Sequence, residues 1–441
     1  MADPIETHGD TGADASFWHA TATGTVSAAR LHGDLAVDVA VIGGGITGLS
    51  AALHLAEAGA SVAVVDAEAI AWGASGRAGG EVLPGLKLDP EGMVRRFGEA
   101  RGERLAAWAG ATTDLVFDLV ARHGIDCHAR RTGWLQAAYT NGEMKTLEAR
   151  CRQWQARGAP VEILDREETA KRLGTPPSLY VGAWLDGRGG GIHPLDYTRG
   201  LACAAAKVGA RLFEKTLARR LVEADGAWRV ECDGGTVAAD AVIVATNGYT
   251  GDLVPGLRRT LIPMRASQAV SAPLDTAAAE AILPAGHVAS DRRRLLISFR
   301  LSHDGRLILG GPGGTREATG EALLRNAAAA AEGLFGEHGR RLSWDYGWSG
   351  QIALTRDFIP HLHEPRPGLL AALGYNGRGI ALATALGKLA AERIGGRPAE
   401  DLPLPLSEIR PIPLHGLSEP ALAVGEAFMG VLDRAERTLG R

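Results

Sequence analysis

The sequence predicts an α/β fold that begins with a parallel strand–helix–strand unit at residues 35–66. Its first part, residues 35–42, is a β-branched apolar run, which is typical of a strand buried on both faces of a sheet. Glycines at positions 43, 45 and 48 follow, and apolar residues at helical spacing then continue to Gly59. A second strand is predicted at residues 61–65, and Asp66 ends it.

The composition excludes several classes of protein. The 441 residues are 46% hydrophobic and 22% charged, which is the balance of a globular chain long enough for two or three domains. The net charge of -4 and the absence of a basic block argue against nucleic-acid binding. No apolar stretch reaches the ~18–20 residues of a membrane span. The polar start of the chain and the four scattered cysteines predict a reducing, cytoplasmic location without disulfides.

The glycines after the first strand form a GxGxxG motif. Gly43 permits a tight turn, Gly45 lets the backbone approach a pyrophosphate, and Gly48 lets the helix and the strand pack closely. The helix N-terminus adds a partial positive charge that faces the phosphates, and Asp66 is placed to accept hydrogen bonds from a ribose. The unit therefore predicts a bound dinucleotide, either NAD or FAD, with a glycine-rich turn that holds no ligand as the alternative.

A small-residue segment, WGASGRAGG at residues 72–80, follows the second strand and contains one arginine. Such a loop lets the backbone pass close to a flat ring, and it places Arg77 near phosphates or a flavin. For this segment alone, a flexible surface turn is an equal alternative.

Four motifs occur in order along the chain: GGGITGLSAA at 43–52, GASGRAGG at 73–80, VIVATNGYT at 242–250 and GYNGRGI at 374–380. Together they resemble the D-amino-acid-oxidase/glycine-oxidase superfamily of FAD-dependent oxidoreductases, and within it the chain is most similar to the γ-glutamylputrescine oxidoreductase group. The resemblance implies an α/β fold with a Rossmann-type, glutathione-reductase-like FAD-binding domain and an α+β substrate domain built on an antiparallel sheet. The implied FAD-binding domain comprises residues 1–87, 160–258 and 347–441, and the substrate domain comprises residues 88–159 and 259–346.

The resemblance also implies which residues contact FAD. They are Gly43, Gly45, Ile46, Thr47, Gly48, Asp66, Ala67, Gly73, Ala74, Ser75, Arg77, Ala78, Gly79, Gly80, Leu217, Ala245, Thr246, Gly377, Arg378, Gly379 and Ile380. Ser75 and Arg77 would lie along the phosphates and the ribityl chain, and the backbone of Leu217 would meet adenine. No His or Cys occurs between residues 73 and 80, so the FAD is predicted to be non-covalent.

Two departures from the family pattern bear on the substrate. Many relatives read GRNGGQ where this chain reads GRAGGE, so Ala78 and Glu81 change the polarity beside the ring. In sarcosine-oxidase-like members a lysine grips the substrate carboxylate, and the aligned position here is Ala381. This difference argues against a small amino acid held in that way.

The family implies oxidation of a carbon–nitrogen bond in a small-molecule amine or amino compound, here one similar to γ-glutamylputrescine. The carbon next to nitrogen gives hydride to flavin N5, and the resulting imine is hydrolysed to a carbonyl product. No second complete nucleotide fingerprint occurs, so electrons are expected to pass to oxygen or another acceptor. A D-amino-acid dehydrogenase or oxidase, a flavin monooxygenase and a non-catalytic flavoprotein are the alternatives, and the oligomeric state stays open.

No dedicated catalytic acid or base stands out in the sequence. Trp348 and Tyr375 are candidate walls of an aromatic pocket, with ordinary core aromatics as the alternative. A helix is predicted to begin near Gly379 and to end before Gly395. Arg378 and the N-terminus of this helix are placed to stabilise the negative charge of a reduced flavin. His361 and His363 alternate along a predicted strand, but no third ligand occurs at a recognisable spacing, so no metal site is predicted.

Two further segments are interpreted as structural. GGGIH at residues 189–193 lacks a preceding apolar strand, so it is predicted to lead into a helix that starts at Pro194. Residues 294–300 and 306–310 are predicted to form a hairpin around the Asp304-Gly305 turn, with His303 at its tip.

Overall fold

The computed structural model describes residues 16–224, 226–313, 320–418 and 420–425, together with 428, 429 and 432. Residues 1–15 and most residues beyond 425, which the domain prediction includes, lie outside this described part. Its regular helices are α1 (Phe17–Thr21), α2 (Ile46–Glu57), α3 (Ala74–Arg77), α4 (Pro90–Phe97), α5 (Glu99–Gly110), α6 (Thr112–His123), α7 (Asn141–Gln155), α8 (Arg166–Leu173), α9 (Pro194–Lys207), α10 (Thr276–Ala281), α11 (Gly320–Phe335), α12 (Glu337–Arg340) and α13 (Gly379–Ile394).

The strands belong to two large sheets and one short pair. They are β1 (Leu35–Ile42), β2 (Val62–Val65), β3 (Glu81–Val82), β4 (Trp134–Ala138), β5 (Val161–Leu164), β6 (Gly182–Asp186), β7 (Gly190–Gly191), β8 (Arg211–Phe213), β9 (Ala218–Ala224), β10 (Ala227–Cys232), β11 (Gly235–Val244), β12 (Leu261–Pro273), β13 (Val288–Asp291), β14 (Ser298–Leu301), β15 (Arg306–Pro312), β16 (Trp344–Thr355), β17 (His361–Arg366), β18 (Leu369–Leu373) and β19 (Leu406–Ser407).

The first sheet carries the predicted dinucleotide unit. Its strand order is β19-β17-β18-β11-β1-β2-β8, and the run from β18 to β8 is parallel. β9 and β10 extend from β11 as an antiparallel meander. Helices α2, α9 and α13 bury their apolar residues against one face of β1 and β2, and a second apolar core covers the other face, which explains why these strands are apolar on both faces.

The second sheet has the order β16-β12-β15-β14-β13-β4-β6-β5 and is antiparallel except at the β13–β4 pair. Its core includes apolar residues of α8, α10 and α11. The antiparallel second sheet confirms the predicted fold class. Strands β5 and β6 pair within it, although the domain prediction assigns residues 160–186 to the FAD-binding domain. The domain division itself stays a prediction.

Several local predictions are confirmed. α13 has the predicted bounds, α9 begins at Pro194, and β14 and β15 form the predicted hairpin. The expectation that no apolar strand precedes residues 189–193 was wrong, because the buried strand β6 ends at Asp186. The segment at residues 72–80 differs from the expected loop, because one helical turn, α3, forms within it. Gly76 allows this turn, since a Cβ there would lie 2.3 Å from the carbonyl oxygen of Ala71.

None of the helices within the described residues combines the length and the apolar character needed to cross a bilayer.

Stability is expected to fall in mild acid in part because His363 is buried. His363 in β17 is fully buried, and its Nδ1 lies 2.7 Å from the carbonyl oxygen of Ser407. Burial lowers the pKa of His363 to about 4, because the imidazolium would lose its hydration. The unfolded chain binds this proton near pH 6.5, so the stability is fully present above that pH and is lost as the pH falls towards 4.

We expect this group to remove about 3 kcal/mol from the free energy of unfolding between pH 7 and pH 4. Urea unfolding at a series of pH values measures the effect, and His363→Leu should weaken the pH dependence. His338→Gln, a change at an exposed histidine, is the control and should leave the pH dependence of the free energy of unfolding unchanged. Equal pH dependence in the wild type and His363→Leu would contradict this prediction.

Candidate active site

A cavity of about 1300 Å³ lies where the carboxyl ends of β1, β2 and β11 face the second sheet. Ligands of open α/β sheets bind at this edge of the strands. All the predicted cofactor contacts line the cavity except Gly48 and Gly80. All four motifs, around residues 43–47, 73–79, 244–250 and 375–380, are therefore brought together at one site.

The turn after β1 has the geometry that its glycines predict. Gly43 has a φ of 115°, and its N–H donates to the carbonyl of Val65 at 2.9 Å. A Cβ at Gly45 would lie 2.8 Å from Ser75 Oγ, and a Cβ at Gly48 would lie 2.0 Å from the carbonyl oxygen of Gly43. Gly48 thus lies behind the turn, where α2 packs on β1, which explains why it does not line the cavity.

Asp66 braces the same turn from the end of β2. Its Oδ2 accepts the Gly44 N–H at 2.6 Å, and its Oδ1 accepts the Glu68 N–H at 2.8 Å. Burial raises the pKa of Asp66, while these two N–H groups act against the shift. A carboxylate can accept about four hydrogen bonds, so Asp66 keeps acceptor capacity for a ribose. Leu217, beside it in the cavity, is 39% exposed.

The beginning of α2 is tied to two other motifs. The Ile46 N–H donates to Ser75 Oγ at 3.0 Å, so this amide already has a partner. Thr47 Oγ1 lies 2.5 Å from the hydroxyl of Tyr375, which also donates to the carbonyl of Ala372 at 3.2 Å. Burial raises the pKa of Tyr375, so its phenol stays protonated and joins α2 to the segment before α13.

The segment after α3 contains donors without a protein partner. Arg77 Nε is buried and has no hydrogen-bond partner within the described part of the chain, and its guanidinium lies 4.4 Å from the Trp72 ring centroid. The buried Gly79 N–H also donates to no atom among the described residues. Trp348 does not line the cavity, because its indole lies behind this segment and donates to the Arg77 carbonyl at 2.9 Å.

Arg378 precedes α13 and lines the cavity. Its Nη1 donates to the carbonyls of Pro84 and Leu86, at 3.2 and 2.5 Å, and its guanidinium lies 5.1 Å from the Trp134 ring centroid. Burial lowers the pKa of Arg378 to about 9, and the positive charge of Arg150 adds to this effect. The carbonyls of the segment before α4 therefore hold this cation, and its contact with a flavin stays a prediction.

Sequence reasoning missed the polar side chains that the second sheet and α7 contribute. Arg150 donates from Nε to Asp89 Oδ1 at 2.6 Å and from Nη1 to Gln136 Oε1 at 2.5 Å. Arg292 Nε and Gln268 Oε1 are buried and lack hydrogen-bond partners in the part of the chain that is described. These cavity residues lie on separate elements and form no local motif, so no signal in the sequence marks them.

Lys87 also lines the cavity, with Nζ 5.6 Å from the ring centroid of Phe358. Burial lowers the pKa of Lys87 to about 8, and Arg378 contributes by like charge. The side chain keeps access to solvent through the cavity although protein surrounds it. Lys87 therefore exchanges protons more readily near neutral pH than a surface lysine.

The two histidines considered for metal binding lie side by side on β17. The rings of His361 and His363 are 5.3 Å apart, but each has another partner, at Asp357 and Ser407 respectively. Within the described ranges, no group of three or more His, Cys, Asp or Glu side chains is arranged to hold a metal.

The cavity fits a dinucleotide that carries a flat ring. Its glycine turn leaves no room for side chains, Asp66 offers acceptors at one end, and Arg77 and Gly79 offer unused donors farther along. A protein-family model described as DAO, FAD dependent oxidoreductase, matches residues 38–393. The chain belongs to this family of FAD-dependent oxidoreductases. FAD is accordingly its cofactor, and the family acts on amines and amino compounds.

Curated relatives and a solved structure agree with this assignment. OrdL of Haemophilus influenzae, a probable oxidoreductase, is 31% identical over 366 residues, which cover 81% of this chain and 83% of that protein. Gamma-glutamylputrescine oxidoreductase of Escherichia coli is 30% identical over 432 residues, which cover 95% of this chain and 98% of that protein. The crystal structure of glycine oxidase from Geobacillus kaustophilus matches the fold with a TM-score of 0.70 at 24% identity, over 85% of this chain and 99% of that chain.

Proposed function

We propose that this enzyme oxidises a carbon–nitrogen bond of an amine that also carries a carboxylate, as γ-glutamylputrescine does. Gamma-glutamylputrescine oxidoreductase of Escherichia coli matches 95% of this chain, so the similarity includes the segments that line the end of the cavity where we place the substrate. The observation that carries the proposal is a cluster of four cations that line this end, Lys87, Arg150, Arg292 and Arg378. We call it the cationic cluster.

Among the described residues, one member of the cationic cluster forms an ion pair with a carboxylate, and Glu143 and Asp186 act on Arg292 and Arg378 from a longer distance. Asp89 pairs with Arg150, and the positive charges of Arg150 and Arg378 disfavour one another. Burial lowers the pKa of Arg292, and Arg150 again contributes by like charge. Arg292 is half-buried, but its buried Nε has no partner among the described residues and is costly unless an anion binds there, so the cluster favours a substrate with a carboxylate.

The same surroundings favour the reactive form of the amine. An ammonium group has no lone pair to stabilise the carbon that is oxidised, so the substrate nitrogen has to bind without its extra proton. Burial and neighbouring cations lower the pKa of Lys87, and they lower the pKa of a bound substrate ammonium for the same reason. Bound FAD supplies the two-electron oxidant. Water that enters the open cavity then hydrolyses the imine to a carbonyl product.

The predicted FAD contacts are part of the proposal. Asp66 would hold the ribose, Ser75 and Arg77 would lie along the phosphates, and Gly79 would donate to the ring. No histidine or cysteine of the described residues lines the cavity, which supports a non-covalent cofactor.

The first test is anaerobic reduction of the purified holoprotein. We expect γ-glutamylputrescine to bleach the flavin absorbance and putrescine, which lacks the carboxylate, to do so only at much higher concentration. Bleaching by D-amino acids alone would favour the D-amino-acid dehydrogenase alternative, and bleaching by NADPH alone would favour a monooxygenase. Admission of air afterwards shows whether oxygen accepts the electrons.

Arg292→Gln should raise the KM for γ-glutamylputrescine about 10- to 100-fold with little change in kcat, because a charged hydrogen bond to the carboxylate is lost. The KM for putrescine should not rise. Arg325→Gln is the control, because that arginine is 65% exposed in α11 and pairs with Glu321. A similar rise in KM for both substrates would show that Arg292 does not recognise the carboxylate.

A further inference from the structure

Residues 77–80, the 77–80 loop, are held by an unusual number of contacts from other elements. Four consecutive carbonyls each accept a hydrogen bond from a donor distant in sequence. The pairs are Arg77 O with Trp348 Nε1 at 2.9 Å, Ala78 O with Trp18 Nε1 at 2.8 Å, Gly79 O with Arg300 Nε at 2.7 Å, and Gly80 O with the Ile192 N–H at 2.9 Å. The backbone of this loop is therefore determined by its surroundings.

Three of these donors are side chains, and they form one buried group. Trp18 belongs to α1, Arg300 to β14 and Trp348 to β16, and their exposed fractions are 1%, 6% and 2%. The ring centroids of Trp18 and Trp348 are 6.0 Å apart, and the Arg300 guanidinium lies 5.3 Å from the Trp18 ring centroid. We call these three residues the loop clamp.

Arg300 is costly to bury, which indicates that its position has a purpose beyond packing. Burial lowers the pKa of Arg300 to about 10, and the negative charge of Glu81, which forms no ion pair with it, acts against this shift. Its Nε and Nη2 donate to carbonyls only, those of Gly79 and Ile192. A full positive charge thus lies directly behind a loop that lines the cofactor cavity.

The loop clamp binds the carbonyls of peptide groups whose N–H groups have no hydrogen-bond partner among the described residues. The Gly79 N–H shares a peptide group with the Ala78 carbonyl, and the Gly80 N–H shares one with the Gly79 carbonyl. A hydrogen bond to a carbonyl polarises its peptide and makes the N–H a stronger donor. Neither N–H donates to any atom of the residues that the structure describes, although both glycines are buried.

We propose that Trp18, Arg300 and Trp348 are positioning residues that fix and polarise the 77–80 loop so that the unused N–H of Gly79, which lines the cavity, stabilises reduced FAD and raises its reduction potential. Two-electron reduction with one proton leaves a negative charge on the flavin. Oriented N–H donors stabilise that charge more than the neutral oxidised ring. The proposal depends on FAD binding alone and not on the identity of the substrate.

The test measures the reduction potential of the bound FAD by anaerobic equilibration with a reference dye. Trp18→Phe and Trp348→Phe keep an aromatic ring and remove the N–H donor, and Arg300→Lys keeps the charge but cannot make both carbonyl bonds. Each change should alter the equilibrium between oxidised and reduced flavin at least tenfold towards the oxidised form, which is about 30 mV for a two-electron couple.

Trp344→Phe is the matched control. Trp344 lies on the same strand as Trp348 and is also buried, but its Nε1 has no hydrogen-bond partner in the described chain. Its replacement should leave the potential unchanged. Potentials of all three clamp variants equal to that of Trp344→Phe would overturn the proposal. If a clamp variant purifies without FAD, its potential is measured after reconstitution with excess FAD, and a potential equal to that of Trp344→Phe overturns the proposal.

Discussion

Gly48→Ala is expected to yield a protein that purifies without FAD. The new Cβ would lie 2.0 Å from the carbonyl oxygen of Gly43 and 3.0 Å from Val41 Cγ1. A backbone oxygen cannot rotate away, so α2 has to move off β1 and take the phosphate-binding turn with it. Overpacking of this kind costs about 1–3 kcal/mol, and the displaced turn loses the geometry that the cofactor requires.

Flavin absorbance of the purified protein and titration of the apoprotein with FAD measure the effect of Gly48→Ala. Gly333→Ala is the control, because that glycine also lies within a helix but a Cβ there would meet nothing within 4 Å. This control should keep FAD and gain about 1 kcal/mol of stability, since alanine favours a helix more than glycine does. Full FAD content in Gly48→Ala would refute the assigned role of the turn.

Asp186→Asn is expected to destabilise the protein by about 3–5 kcal/mol, because it leaves a buried guanidinium without its counter-charge. Asp186 at the end of β6 is completely buried and accepts hydrogen bonds from Arg188 Nε at 2.9 Å and Nη2 at 2.6 Å. The Arg188 guanidinium also lies 4.3 Å from the Trp154 ring centroid. Both side chains are buried, so water cannot solvate the unpaired Arg188 guanidinium unless the surrounding side chains move apart.

Urea unfolding at neutral pH measures the loss, with Asp233→Asn as the control. Asp233 also pairs with an arginine, Arg219, but the two side chains are 41% and 63% exposed. An exposed ion pair contributes about 0–1 kcal/mol, so the control should lie close to the wild type. Similar midpoints for the two variants would show that burial does not determine the contribution of the Asp186–Arg188 pair.

The local part of the fold was predictable because its causes are local. The β-branched run of β1, the three glycines and the apolar spacing of α2 all lie within one short unit, and the turn that they form contains a positive φ at Gly43, which glycine adopts readily. The bounds of α13 could be predicted for a similar reason, since glycines stand at both of its ends. The helical turn α3 escaped prediction because its small residues have no periodic pattern.

The part of the cavity that the cationic cluster lines could not be predicted from sequence patterns. Lys87, Arg150 and Arg292 come from three separate parts of the chain, and each resembles an ordinary surface cation when it is considered alone. Trp348 was a candidate for the pocket wall because of its position near a motif. The structure places it behind the 77–80 loop, where its N–H has a carbonyl to bind.

The sequence by itself determined the dinucleotide unit and, through four ordered motifs, the family and its cofactor. Those features depend on neighbours within one strand, turn or helix, so they can be recognised without the rest of the chain. Only the tertiary structure decided which cations line the cavity and which side chains hold the 77–80 loop. Such contacts form when strands of two sheets and the first helix meet, and their chemistry comes from burial, which has no local signature.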